Sequence, residues 1–214
     1  YGHDDRSCMF AAIKAITSID KPPYTSIAFG VSREEIGSTG IGSANDVFLE
    51  NTIKTIRRIQ SLGNYPEISN IYSASVMFSA DVDVAYTPQN SSVSDKENCA
   101  QFGNGAVIGI ANGINGNPTG NIVMPKDLYF IERFLNKMDL AYQVTAIPSR
   151  VGIGGGGGTI AKFYSEKGIL TADVGIPVGN MHGTVSRIYA ADLDSMVQAF
   201  TGLLLRQEEK QIWG

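Results

Sequence analysis

Residues Ile27-Ala28-Phe29-Gly30-Val31-Ser32-Arg33-Glu34-Glu35-Ile36-Gly37-Ser38 form an apolar run that ends on two adjacent carboxylates, a glycine and a serine. Residues 24–31 predict a buried strand leading into a turn. Side chains at consecutive strand positions point to opposite faces. Glu34 and Glu35 can therefore serve one site only if the chain turns there, and Gly37 permits that turn. One carboxylate could then hold a metal while the other handles a proton. The same residues also fit a capping box, Ser32-x-x-Glu35, which would only start a helix.

The sequence around this stretch alternates helical and strand patterns. Upstream, residues 7–18 carry apolar side chains at helical spacing, with Asp4 and Asp5 before the helix N-terminus, where the backbone dipole favours negative charge. Lys21-Pro22-Pro23 closes that helix. Downstream, a long helix is predicted over residues 44–62, a strand over 76–86, a long polar loop over 87–98 and a strand over 106–111. The Asn- and Gly-rich residues 112–121 read as a turn or insertion. A helix over 126–138, a strand over 142–147, a strand over 170–178 and a final helix over 185–205 follow, with Asp192 and Asp194 on the polar face of the last. The alternation predicts an α/β fold: one domain, residues 1–214, with a mixed, mostly parallel sheet covered by helices on both faces.

Composition narrows the function classes. The chain has 214 residues, 43% hydrophobic and 18% charged, with a formal net charge of −4, which describes an ordinary globular protein. No basic run stands out, which argues against nucleic acid as a partner, and no apolar stretch reaches the roughly 18 residues that span a bilayer. Cys8 and Cys99 form no close-spaced pair, so a reducing cytoplasm is the default compartment.

The side chains able to hold a metal, Asp4, Glu34, Glu35, Asp81 and His182, fall at predicted strand ends or turns, where sites gather in open α/β sheets. Zinc accepts imidazole nitrogen and carboxylate oxygen, and a catalytic site keeps one position open. The glycines Gly154 to Gly158 lack the spacing and the Lys-Ser/Thr pair of a phosphate-binding loop; close backbone approach to a substrate suits them better.

Taken together, the motifs resemble those of the aminopeptidase I and aspartyl aminopeptidase family of dinuclear zinc exopeptidases, in its bacterial branch. Tyr1-Gly2-His3-Asp4-Asp5-Arg6 is similar to that family's YG(Q/H)DDR, and Ser32-Arg33-Glu34-Glu35-Ile36-Gly37-Ser38 to its (D/S)xEEIGS. Ser79-Ala80-Asp81-Val82 looks like SADV, and Asp95-Lys96-Glu97-Asn98 is similar to EKNN. The glycine run with Thr159-Ile160-Ala161-Lys162-Phe163 resembles GGGGTIAKF, and Met181-His182 the MH before the last helix.

The resemblance implies a zinc-exopeptidase fold of the phosphorylase/hydrolase type. It implies two Zn2+ ions per complete site, with Co2+ or Mn2+ as possible substitutes, peptide substrates, and a dimer-based dodecamer for the full-length protein. It makes Asp4 the bridging carboxylate, Glu34 the general acid/base, Glu35 and His182 ligands of one zinc, and Asp81 a ligand of the other. Gly156, Gly157, Gly158 and Thr159 become substrate-binding residues. His3 is expected to support the site rather than ligate. The family's first zinc-ligand histidine and its dimerisation insert have no counterpart in the sequence, and the abrupt polar start at Tyr1 reads as the middle of a longer polypeptide. The competing expectation is a fragment or degenerate relative that binds metal or peptide without turnover.

Overall fold

The computed structural model describes residues 1–60, 66–114, 117–147 and 156–206. A four-stranded sheet in the order β1 (Val76–Ser79), β8 (Leu170–Gly175), β3 (Ala106–Gly109), β6 (Tyr142–Thr145) is the frame. β1 runs parallel to β8 and β3 parallel to β6, while β8 and β3 are antiparallel. All residues of β3 and β8 are buried, as expected of strands covered on both faces.

Helices α1 (His3–Thr17), α4 (Pro125–Lys137) and α6 (Ala190–Leu205) bury Ile108, Ala172, Val174 and Phe78 on one face. On the other, Met77 and Ile169 pack with Leu49 of α2 (Phe48–Ile59), Tyr72 of α3 (Ile68–Ser73) and Tyr164 of α5 (Ala161–Ser165). Beside this frame lie a parallel pair, β2 (Asp83–Val84) with β9 (Pro177–Val178), and an antiparallel sheet β5 (Asn117–Ile122), β4 (Ala111–Ile114), β7 (Gly156–Gly157). The mixed, mostly parallel α/β architecture matches the sequence reading.

Several local expectations need correction. Residues 24–31 form no strand among the described residues. They run extended, with Ile27, Phe29 and Val31 packed on Leu49, Tyr72 and Tyr164, but have no sheet neighbour. The predicted strand over 76–86 is two strands, because the Asp83 N–H donates to the Ile176 carbonyl at 2.9 Å and the chain changes partner from β8 to β9. The break falls at Asp81. Of residues 112–121, the described ones, 112–114 and 117–121, belong to the antiparallel strands β4 and β5, with Gly113 opposite Pro118. The helix expected over 44–62 is shorter within the described residues, Phe48–Ile59.

The last helix starts at Ala190 rather than 185, because Gly179 and Arg187 exchange two backbone hydrogen bonds of 2.9 Å that hold the preceding segment extended. Asp194 is exposed and accepts from Gln198 Nε2 at 2.7 Å, as a polar-face residue should. Asp192 is not on that face: it is fully buried and accepts from the Gly103 and Gly105 N–H groups at 2.9 and 2.8 Å. It ties the loop entering β3 to the final helix. Asp192→Ala strands two inward-facing N–H donors, so an unfolding free energy lower by about 2–4 kcal/mol is expected in chemical denaturation. A change under about 0.5 kcal/mol, the level of an ordinary surface substitution, would refute that role.

Candidate metal centre

β1 and β8 are parallel, so their carboxyl ends open on the same side of the sheet. Asp81 follows β1, and the loop bearing His182 follows β8 and β9. A side chain at Gly175 would overlap the Asp81 carbonyl, so the last position of β8 must be glycine for Asp81 to sit there. His182 and Asn180 adopt left-handed backbone conformations (φ 59° and 57°), which Asn and His tolerate better than most residues. The turn is held by Asn180 Nδ2 donating to the Val185 carbonyl at 2.6 Å and Gly183 N–H donating to the Asn180 carbonyl at 3.0 Å.

The Glu34–Glu35 stretch makes the turn the sequence required. Arg33 (φ 67°) and Gly37 (φ 100°) bracket a single 3-10 turn, Glu34–Ile36. The capping-box alternative is not realised: Ser32 Oγ donates to the Gly42 carbonyl at 3.1 Å, and no longer helix follows. A 3-10 turn swings consecutive side chains by about a third of a revolution rather than to opposite faces. Both carboxylates therefore turn towards the α1 N-terminus.

Two donor groups result. His182 Nε2 lies 2.9 Å from Asp4 Oδ2 and 3.1 Å from Glu35 Oε1. Ligand atoms of Asp4, Asp5 and Asp81 form a second group, within 4.8 Å of one another, and Asp4 belongs to both. Ligands bound tetrahedrally at about 2.0–2.1 Å lie roughly 3.3 Å apart, close to the His182 spacings.

The electrostatics also favour a cation. Asp5 and Asp81 crowd their carboxyl groups together, with oxygens within 4.8 Å of one another, and Asp5 Oδ1 is buried with no hydrogen-bond partner. Burial, and then neighbouring acids, push Asp5 up to about 6 and Asp81 well above the usual carboxylate range. Burial, then the Glu35 carboxylate, push Glu34 up to about 7, and Glu35 is raised by burial and Asp4. Divalent cations remove that repulsion, so the donor set fits them.

A stability test follows. The folded chain holds these protons to a higher pH than the unfolded chain, whose carboxyls titrate near 4. It therefore binds more protons between about pH 4 and 7, and stability falls as pH rises through that window. In chelator, the thermal midpoint is expected to drop between about pH 4.5 and 7.5, and excess zinc to restore it at the upper end. A midpoint that is flat or rises in chelator would contradict the clustered carboxylates.

The structure brings together Asp4, Glu35 and His182, and separately Asp4, Asp5 and Asp81. Glu34 lies close enough for its carboxyl to be raised by Glu35, Asp5 and Asp4. His3 stands beside the site, its Nδ1 2.9 Å from Ser186 Oγ. Asp5, whose position before α1 suggests only a helix-dipole role, belongs to the second donor group, and the adjacent pair Asp4-Asp5 repeats the logic of Glu34-Glu35.

Of the glycine run, Gly154 and Gly155 lie outside the described residues. Gly156 and Gly157 form β7, an edge of the small sheet, and Gly158 is exposed. Thr159 Oγ1 donates at 2.5 Å to Asp173, a buried acid of β8 that also accepts from Asn112 Nδ2. An acid within an apolar strand gives no periodic signal, so Asp173 is not legible from the sequence.

An α/β sheet with imidazole and carboxylate donors gathered beyond its strand ends is an arrangement that could hold metal ions. The profile of the aminopeptidase I zinc metalloprotease (M18) family matches residues 1–203, and the chain belongs to that family. A probable M18 family aminopeptidase 1 of Borreliella burgdorferi is 33% identical over 203 residues, covering 94% of this chain and 44% of the relative. The crystal structure of aminopeptidase I from Clostridium acetobutylicum superposes with a TM-score of 0.86 at 29% identity, over 96% of this chain and 44% of that one. The M18 aminopeptidase of Thermotoga maritima gives 0.83 at 26%, over 95% and 45%. The chain thus spans less than half the length of these three relatives. Among the described residues, no helix is long and apolar enough to cross a membrane.

Proposed function

We propose that this chain is the C-terminal part of the catalytic domain of a metallo-aminopeptidase, which removes N-terminal residues from peptides at a dinuclear zinc site. The observation that carries the reading is the shared position of Asp4, whose carboxylate belongs to both donor groups. Asp4 would bridge two ions; Glu35 and His182 would hold one, and Asp81 the other, whose remaining ligand would come from outside this chain. Cobalt or manganese would suit the same donors.

Bound cations supply Lewis acidity, lowering the pKa of water and polarising the scissile carbonyl. Glu34, half-buried and outside both donor groups, takes the proton of the attacking water and passes it to the leaving amine. With Asp4, Asp5, Glu34, Glu35 and Asp81 all ionised, five negative charges face two divalent cations, and the surplus suits a substrate α-ammonium group. Gly156, Gly157, Gly158 and Thr159 line the substrate side, where the absence of side chains on three of the four lets a peptide backbone approach. A dimer-based homo-oligomer of the complete protein, and a reducing cytoplasm suited to the free, buried Cys8 and Cys99, complete the reading.

The test is release of free amino acids from a short peptide by the zinc-loaded catalytic unit containing this chain. The N-terminal residue is expected to leave first, and the same peptide with an acetylated amine to resist by at least about 100-fold. Internal cleavage of both peptides at equal rates would refute an exopeptidase.

A further inference from the structure

Asp173 is a buried acid at the centre of the main sheet, and it belongs to neither donor group of the metal centre. In register it stands between Ser79, two residues before Asp81, and Gly109 at the end of β3. A carboxylate buried there is costly unless its oxygens are hydrogen-bonded. Both are: Oδ1 accepts from Thr159 Oγ1 at 2.5 Å, and Oδ2 accepts from Asn112 Nδ2. The three side chains close a ring, because Asn112 Nδ2 also donates to Thr159 Oγ1 at 3.3 Å. The Ala161 N–H donates to the same hydroxyl at 3.2 Å. A hydroxyl offers one donor and two acceptor positions, and all three are taken within the chain. Thr159 has no hydrogen-bonding capacity left for a substrate.

The ring joins three separate pieces of chain. Asp173 lies on β8, Thr159 follows β7, and Asn112 lies on β4 where its register with β5 shifts. Such irregularities re-aim a side chain. Gly120 leaves Asn112 its place, since a Cβ there would lie 3.0 Å from the Asn112 Cβ. Asn121 of β5 adds a second tie to β8, its Nδ2 donating to the Thr171 carbonyl at 3.2 Å. Gly156 and Gly157 pair with Ile114 and Gly113 of β4, and β7 is the edge of its sheet. A Cβ at Gly158 would meet nothing within 4 Å among the described residues. Residues 156–159 are thus fastened on their inner side and open on the outer.

We infer that Asp173, together with Asn112, is a positioning residue for peptide binding: through the Thr159 hydroxyl it sets the main chain of residues 156–159. The N–H and C=O groups of that segment, and not the Thr159 side chain, then hold the peptide. The inference rests on reading these residues as the substrate side of a metallo-aminopeptidase. A charged acceptor suits the task, because hydrogen bonds to a carboxylate are shorter and stronger than neutral ones and fix the donor more tightly. Asp173 and Asn112 stand outside both donor groups, so they hold the peptide equally in the ground and transition states. Loss of such binding raises KM and leaves kcat in place.

Steady-state kinetics with parallel zinc analysis, on the zinc-loaded catalytic unit containing this chain, tests it with Asp173→Asn, Thr159→Val and the two combined. Asparagine keeps the shape of Asp173 but turns one acceptor into a donor that faces Thr159 or Asn112. In each single variant KM for a short peptide is expected to rise at least about 10-fold, with kcat within about threefold and zinc content unchanged. Because Asp173 acts through Thr159, the double variant should be no worse than the worse single one, whereas independent roles multiply. Asn112→Ala, at a half-buried position, repeats both comparisons through the other partner of Thr159 where Asp173→Asn does not fold. An unaltered KM, effects that multiply, a fall in kcat at constant KM, or loss of zinc would overturn the inference while leaving the aminopeptidase reading intact. An unsubstituted unit that turns over no peptide would overturn both.

Discussion

Glu34→Gln lowers kcat for release of an N-terminal residue by about 10²–10⁴-fold while leaving zinc content unchanged, because it removes proton transfer and nothing else. Glutamine keeps the size and the acceptor oxygen of the side chain but cannot take up the water's proton. Glu34 is absent from both donor groups, and Arg33 and Gly37 fix the turn that presents it through their backbone conformations, so the substitution leaves the Asp4–Glu35–His182 geometry in place. Steady-state kinetics with parallel zinc analysis separates the possibilities. Loss of zinc together with activity would move Glu34 into the metal shell. Full activity with zinc still bound would remove it from catalysis.

Asp4→Asn is expected to be the most damaging single change to metal retention. Asp4 is the one side chain common to both donor groups, so its loss weakens two sites at once. Partners that only orient a ligand typically cost about 10–100-fold in affinity, and removal of a shared ligand should exceed that range. Equilibrium dialysis against a chelator of known affinity measures the effect. Zinc affinity within about threefold of the unsubstituted chain would show that Asp4 does not ligate.

The sequence carried the α/β class because helical and strand periods alternate over most of its length, and β3 and β8 are the fully buried apolar runs that a covered sheet demands. The candidate site was legible for a different reason: the order of its motifs resembles that of the M18 family, whereas Glu34, Glu35 and Gly37 taken alone also fit a capping box. Positions set by tertiary contacts were not legible. Asp192 looks like a solvated helix residue, yet it caps two loop amides 89 and 87 residues away in the sequence. Asp173 looks like a blemish in a strand, yet it anchors Thr159 at the end of the glycine run. Residues 24–31 have the pattern of a strand and the extended course of one, but a strand needs a neighbour, and none of the described residues supplies it.

The central claim is that Asp4, Glu35 and His182 hold one metal ion in common. Zinc per chain, measured by elemental mass spectrometry after dialysis against a weak chelator, tests it most directly when the unsubstituted chain is compared with Glu35→Ala and His182→Ala. One tightly held zinc per chain, lost in both variants, is the predicted result; an equal zinc content in all three proteins would contradict it.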